Sequence, residues 1–410
     1  MKKLFTYIVT IILLCCATSC GNKKAKYVFY FIGDGMSFQA VCMAEAYQSM
    51  HNGDPIGRTP LCFSSFPASG IATTYSADEN ITDSSAAGTA LSTGEKTNNH
   101  MLCIGPDSTT HFTSIAKKIH DAGYKVGIMT TVPLNHATPA AFYAHSIDRN
   151  DYYSISCEIP ESGFEFLGGG PVYQPTGRRG GEKNSYEMFE EAGYSIANGQ
   201  SSYESLANRE KVIVFSDTTN RRGGNLVYRS NAKASDLSLA NLVADAIEVL
   251  ENEKGFFMMA EGGQIDMACH SNDLKNAIFE TIGMDEAVQI AYAFYQKHPD
   301  ETLIVITADH ETGGLSLGRK GYNFDLSPID EPGATERPVY TAENYMSKDK
   351  ASIEEVVTLS ERCRIGWTTK DHAGSFVPVF AVGVGSESFV GRQDNTEIPK
   401  KICAAMGVEF

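Results

Sequence analysis

The chain has no excess of basic residues, no cysteine pair at metal-binding spacing, no internal repeat and no apolar run long enough to cross a bilayer. Its 34 Lys and Arg face 50 Asp and Glu, a formal net charge of −16. Such an acidic protein is a poor partner for nucleic acid, so nucleic-acid recognition is not expected. Beyond the first 20 residues the cysteines are Cys42, Cys62, Cys103, Cys157, Cys269, Cys363 and Cys403. None forms a CxxC unit, which removes the thiolate zinc-site class, and an odd count cannot all pair. An exported chain has room for one or more disulfides, which the spacing does not assign.

The longest apolar run of the N-terminal region, Leu4 to Leu14, is too short to span a bilayer comfortably. It follows Lys2-Lys3 and precedes Cys15-Cys16-Ala17-Thr18-Ser19-Cys20-Gly21, so residues 1–19 are expected to be a secretory signal peptide. The small residues before Cys20 resemble a bacterial lipoprotein box, with Ala17 where Leu is more usual. Cys20 would then be the lipidated first residue, and the lipid the protein's link to a membrane. Cleavage removes two lysines and moves the formal charge from −16 to −18. Residues 20–25 are a linker, and Lys23-Lys24 give no acidic surface-export signal. The expected location is periplasmic or anchored to the outer membrane.

The remaining length suits a large α/β domain, because apolar runs alternate with helical stretches and 42% of residues are hydrophobic. Strands are expected at Tyr27–Ile32, Lys125–Met129, Lys211–Phe215, Gly255–Met259, Thr302–Thr307 and Val377–Val382. Helices are expected at Ser114–His120, Leu237–Leu250 and Asp273–Tyr295, the last with Leu274, Ile278 and Ile282 on one buried face. Arg319 to Pro338, rich in Gly, Pro and Asp, lacks a period and reads as part of an inserted surface region over about 316–362.

Around Ile81-Thr82-Asp83-Ser84-Ser85-Ala86-Ala87-Gly88-Thr89 a polar turn runs into small helix-favouring residues. Thr, Asp and Ser are ordinary N-cap residues. The same stretch also fits a nucleophile at a helix N-terminus, where free N–H groups stabilise an oxyanion or phosphate. Three acidic residues follow three expected strands directly: Asp34, Glu261 and Asp309. Each could end a strand in a turn. In an open parallel sheet, however, strand ends share one edge, where α/β sites are built. His310 adjoins Asp309, His270 lies four residues after Asp266, and His372 precedes the last strand. Imidazoles mixed with carboxylates are the ligand set of Zn²⁺. Gathering Asp34, Glu261, Asp266 and Asp309 in one cleft needs cations, since like charges raise each other's pKa.

Gly33-Asp34-Gly35-Met36, Thr82-Asp83-Ser84, His136-Ala137-Thr138-Pro139-Ala140-Ala141, Glu261-Gly262 to His270, Thr307-Ala308-Asp309-His310 and Asp371-His372-Ala373-Gly374-Ser375 resemble, in this order, the motifs of alkaline phosphatases. The resemblance covers Tyr27 to Val384 and implies a three-layer sandwich, a mostly parallel central sheet between helices, with a crown-like insertion in a catalytic domain over 26–410. It implies two Zn²⁺ and one Mg²⁺, a phosphoseryl intermediate at Ser84, broad use of phosphate monoesters, and a homodimer. By the same resemblance Asp266, His270 and His372 hold one zinc, and Asp309, His310 and Asp34 hold the other. Asp34, Thr138 and Glu261 hold magnesium, and Arg149 binds phosphate. Ser85 is the local rival of Ser84. A phosphodiesterase or nucleotide pyrophosphatase of the same superfamily, and a metal- or phosphate-binding lipoprotein without turnover, are the alternatives.

Two positions depart from the best-known bacterial pattern: His136 replaces Asp, near the implied magnesium site, and Met267 replaces Lys. A thioether cannot contact phosphate through water as an ammonium can. Met267→Lys is therefore expected to strengthen inhibition by inorganic phosphate, measured as a lower inhibition constant; an unchanged constant would remove any role for this position.

Overall fold

The computed structural model describes residues 23–220, 224–332, 334 and 353–410. The expected signal peptide and Cys20 lie outside these residues, as does most of the linker. Ten strands form one sheet. In chain order they are β1 (Tyr27–Gly33), β2 (Ala68–Thr73), β3 (Lys125–Pro133), β4 (Phe166–Gly170) and β5 (Ser195–Asn198). They continue with β6 (Val212–Phe215), β7 (Phe256–Glu261), β8 (Thr302–Ala308), β9 (Val377–Gly383) and β10 (Gly391–Asp394). Their spatial order is β10-β2-β9-β8-β1-β7-β3-β4-β6-β5. Only β9 runs against the rest, pairing antiparallel with β2 and β8.

Every residue of β1, β7 and β8 is buried, which is why these strands read as unbroken apolar runs rather than alternating ones. Helices cover both faces. Phe38–Asn52, Leu239–Leu250 and Leu274–Lys297 pack together on one side. Ser84–Thr93, Ala137–Ala140, Ile115–Asp121 and Glu397–Met406 make the other layer. The architecture is thus α/β in three layers around a mostly parallel sheet. At the two ends of the stretch expected as an insertion, Leu315–Leu317 pairs with Ile365–Trp367, and within it Ile329 and Leu359 pack with Met43 and Ile278 in a small second core.

Helix starts expected at Ser114, Leu237 and Asp273 fall at or beside the caps, because Ser114, Ser238 and Asp273 are N-cap residues whose side chains accept a backbone N–H. Strand β3 continues four residues past its expected end, through Thr130 and Thr131 to Pro133. All seven cysteines named above are unpaired.

Four strands, β2, β4, β5 and β10, carry no readable apolar run. In β4 the sequence Phe166-Leu167-Gly168-Gly169-Gly170 resembles a turn. Here the glycines serve close approach: a Cβ on Gly168 would stand 2.5 Å from Leu242 Cδ2, and one on Gly170 only 1.7 Å from the Gly224 carbonyl oxygen. A backbone atom cannot swing aside as a side chain can. Gly170→Ala is expected to cost about 3 kcal/mol of stability, read from denaturant unfolding; a loss under about 0.5 kcal/mol would show that the two segments separate freely.

Candidate active site

The register of three neighbouring strands builds the floor. Ile32 of β1 lies beside both Glu261 of β7 and Thr307 of β8, and Gly33 beside Ala308. The chain therefore leaves β1, β7 and β8 at one level, and Asp34, Glu261 and Asp309 meet there, each fully buried. Gly35 turns the chain with φ 69°, and a Cβ there would collide with Asp266 at 2.9 Å. Its N–H donates to Asp309 Oδ1 at 3.0 Å.

Asp83 is the N-cap of helix Ser84–Thr93, accepting from Ala86 N at 3.0 Å. Capping by Asp83 leaves Ser84, the expected nucleophile, as the first helical residue. Its Oγ lies 3.2 Å from His310 Nε2. Ser85, by contrast, donates to both oxygens of Asp83, at 2.8 and 2.7 Å. The run of small residues after it has a packing cause, since a Cβ on Gly88 would come within 3.1 Å of Ala141 Cβ.

The i, i+4 pair on helix Gln264–His270 also forms, with His270 Nε2 at 3.3 Å from Asp266 Oδ2. His372 Nε2 is 3.9 Å from Asp266 Oδ1, and its ring stands between those of His310 (3.6 Å, stacked) and His270 (5.0 Å). The outer nitrogens are occupied by backbone: His270 Nδ1 meets the Lys370 carbonyl at 2.5 Å and His372 Nδ1 the Thr82 carbonyl at 2.8 Å. With Nδ1 held as the donor to a carbonyl, Nε2 is the atom of each ring that faces the carboxylates and that a metal would take in place of a proton.

Ligand atoms converge in three groups: Asp34, Asp309 and His310; Asp266, His310 and His372; and Asp34, His136 and Glu261. The grouping differs from the expected partition in three ways, the first being that His270, expected with Asp266 and His372, falls in none of these groups although its Nε2 lies 3.3 Å from Asp266. His310 Nε2 lies within reach of both zinc sets, 3.5 Å from Asp34 and 3.3 Å from Asp309. His136, expected only near the magnesium site, stands among its carboxylates. Both oxygens of Asp34, Asp309 Oδ2, Glu261 Oε1 and Thr138 Oγ1 are buried without a hydrogen-bond partner. Leaving five such atoms unmet would cost several kcal/mol, so this donor set fits cations.

Electrostatics say the same. Burial, reinforced by Asp309, Asp266 and Glu261, pushes Asp34 well above the usual carboxyl range. Burial likewise raises Asp309 to about 8 and Glu261 to about 7. Burial opposes ionisation of Asp266 too, but its histidine neighbours outweigh it and hold that carboxyl low. Burial works to lower His270, yet the bond to Asp266 overrides it and lifts the imidazole to about 9. His310, desolvated and facing His372, is kept neutral.

Arg149 reaches the same centre from the loop before helix Tyr152–Ser162. Its Nη1 donates to Asp83 Oδ2 at 3.0 Å, and its Nη2 lies 3.3 Å from His136 Nε2. Met267 is half-buried on helix Gln264–His270, between Asp266 and His270 in sequence. The supporting contacts had no sequence signal. Thr130 donates to Glu261 Oε2, and Thr312 to Asp266 Oδ1 while standing 3.2 Å from His310 Nδ1. Nothing in the local pattern separates these threonines from others.

Residues 25–408 match the family model of alkaline phosphatase. The chain is 32% identical to alkaline phosphatase 4 of Bacillus subtilis, covering 92% of this chain and 87% of that protein. It is 31% identical to the human tissue-nonspecific alkaline phosphatase, over 92% and 83% of the two chains. Among solved structures it resembles the alkaline phosphatase of the Antarctic bacterium TAB5, with a TM-score of 0.75, 26% identity, and 95% and 99% coverage. A variant of that enzyme with a histidine changed to glutamate has been solved with Mg in its M3 site.

Without cations the folded protein retains protons on Asp309 and Glu261 that the unfolded chain has released, and on His270 above its ordinary value of 6.5. Folded protein thus binds more protons than unfolded between pH 6.5 and 8.5, so stability must fall as pH rises. His310, neutral in both states above about pH 6.5, does not offset this. The melting temperature of chelated protein is expected to drop by about 2–5 °C across this interval. Zinc and magnesium should reduce the slope to the part contributed by Glu280, a carboxyl outside the cluster that burial raises to about 8; a flat profile for chelated protein would contradict the protonation described.

Proposed function

Because this chain belongs to the alkaline phosphatase family, which hydrolyses phosphate monoesters, we propose that it releases phosphate from a broad range of monoesters through a phosphoserine at Ser84. The observation that carries this reading is the set of buried, partnerless carboxylate and hydroxyl oxygens converging beside a serine at a helix N-terminus.

Two zinc ions and one magnesium ion are the cofactors proposed. Asp266, His270 and His372 would hold the first zinc, Asp34, Asp309 and His310 the second, and Asp34, Glu261 and Thr138 the magnesium, with His136 beside it. Bound there, such ions lower the pKa of a coordinated hydroxyl or water and offset charge on attacking and leaving oxygens. The magnesium of the TAB5 variant supports the third site.

The chain's own residues supply position and charge. Ser84 Oγ, fixed by the first helical turn, gives up its proton to solvent and forms the bond to phosphorus as the bond to the leaving oxygen breaks, and the departing alkoxide takes a proton from solvent in return. Water then attacks the phosphoserine, the P–Oγ bond breaks, and inorganic phosphate leaves with Ser84 restored. Arg149, anchored by Asp83, offers its planar fork to the phosphoryl oxygens. The helix N-terminus adds partial positive charge on the same side. His270 and His372, fixed through their outer nitrogens, cannot rotate away as charge develops.

The proposal extends to export behind residues 1–19, lipid attachment at Cys20, a periplasmic or outer-membrane-anchored location and a homodimer, all consistent with the sequence pattern and the family.

Hydrolysis of a chromogenic phosphate monoester at alkaline pH, with a diester alongside, is the deciding assay. Ser84→Ala should lower kcat by at least about 10³-fold, whereas Ser85→Ala should stay within about tenfold of the parent. Arg149→Ala should cost about 10²-fold in kcat/KM. Chelation should abolish turnover, and zinc with magnesium should restore it. A folded, metal-loaded protein without monoester turnover would overturn the proposal, and faster diester cleavage would replace it with the phosphodiesterase alternative.

A further inference from the structure

The loops around the mouth of the site carry a charge pattern that the hydrolytic chemistry does not require. Three of them are tied to the turn that presents Ser84. Asp83 N donates to Asn99 Oδ1 at 3.0 Å, while Asn99 donates to Asp78 Oδ1 at 2.9 Å and to the Ile81 carbonyl at 3.0 Å. Arg149 N donates to the His100 carbonyl at 2.8 Å, and His100 N to Asp83 Oδ2 at 3.2 Å. His372 is held by the Thr82 carbonyl. Segments 76–82, 146–149 and 370–376 therefore surround the N-terminal end of helix Ser84–Thr93.

To solvent these segments present carboxylate and hydrocarbon. Asp78, Glu79, Asp148 and Asp371 are exposed, and so are Ile81 (44%), Ile147 (60%) and Phe376 (42%). The aspartates are held by neutral local donors: Asp78 by Ser76 and Asn99, Asp148 by Asn150, Asp371 by Thr369. Among the described residues none of the four carboxylates forms an ion pair with lysine or arginine. Arg149 is engaged by Asp83, Arg392 lies over the Phe376 ring 5.2 Å from its centroid, and Lys370 is the single exposed cation on the three segments themselves.

Beneath them lie the buried, partnerless oxygens of Asp34, Glu261, Asp309 and Thr138, where cations and the phosphoryl group belong. The alcohol part of any substrate must then sit against the rim. A negative rim repels a leaving group that carries further negative charge, and its apolar side chains favour one with hydrocarbon surface.

We propose that this rim makes the site selective for the charge of the leaving group: it prefers monoesters of cationic or neutral, partly apolar alcohols over those whose alcohol bears additional carboxylate or phosphate. The proposal rests on the hydrolase reading and narrows its substrate class.

Choline phosphate, glycerol 1-phosphate and 3-phosphoglycerate test it, being primary alkyl monoesters whose alcohol parts are cationic, neutral and anionic. At low ionic strength kcat/KM should fall in that order over at least about tenfold. The spread should shrink in about 0.5 M NaCl, because exposed charges are screened. In the triple variant Asp78→Asn/Asp148→Asn/Asp371→Asn it should contract to under about threefold at low salt. Calorimetric binding of the same three compounds to metal-loaded Ser84→Ala protein should give the same order of Kd without turnover. Equal or reversed preference at low salt, or an unchanged spread in the triple variant, would overturn the proposal. If none of the three is hydrolysed the hydrolase reading fails, while the binding order on Ser84→Ala still decides the rim.

Discussion

Everything at the centre of this molecule follows from one conflict: Asp34, Glu261, Asp266 and Asp309 are buried together, and the protein supplies too few donors for their oxygens. Isolated in a low-dielectric interior, four carboxylates cannot all ionise, because each raises the proton affinity of the next. The structure partly relieves Asp266 with His270 and His372, but leaves both oxygens of Asp34 unmet. Multivalent cations resolve the remainder, and the same cations are what phosphoryl transfer needs. The arrangement stores in the apoprotein an electrostatic cost that metal binding removes.

Holding such a cluster against its own repulsion takes a rigid frame. The parallel register of β8, β1 and β7 fixes three strand exits side by side, and the buried apolar runs behind them keep the exits from shifting. Small contacts then aim each ligand. Thr130 takes one oxygen of Glu261 and so turns the other inward; Thr312 does the same for Asp266; two backbone carbonyls set the histidine tautomers. Asp83 serves two structures at once, capping the helix that carries Ser84 and anchoring Arg149. Ser84 and Arg149, 65 residues apart and proposed as nucleophile and phosphate-binding cation, are thereby registered through one carboxylate.

The sequence was readable where burial is uniform. Strands β1, β3, β6, β7, β8 and β9 show as apolar runs because they are covered on both faces, and the three acidic residues that end β1, β7 and β8 stand out against them. It was unreadable where backbone proximity replaced side-chain burial: Gly168 and Gly170 look like turn residues until Leu242 and the Gly224 carbonyl are seen beside them. Strand β10, with Gly391 and Arg392 exposed, lies at the sheet edge and has no apolar signature to detect.

Residue types and spacing alone determined the α/β class, the acidic character, the imidazole and carboxylate set suited to zinc, and the family motifs around Ser84. Those features are local, set by periodicity and by the chemistry of individual side chains. Tertiary structure decided what depends on distance: that Ser84 rather than Ser85 faces His310, that His136 joins Asp34 and Glu261, and that exposed carboxylates ring the mouth. Each turns on where a side chain points across contacts tens or hundreds of residues apart. Such orientation is set by packing and hydrogen bonds between elements, which no local pattern encodes.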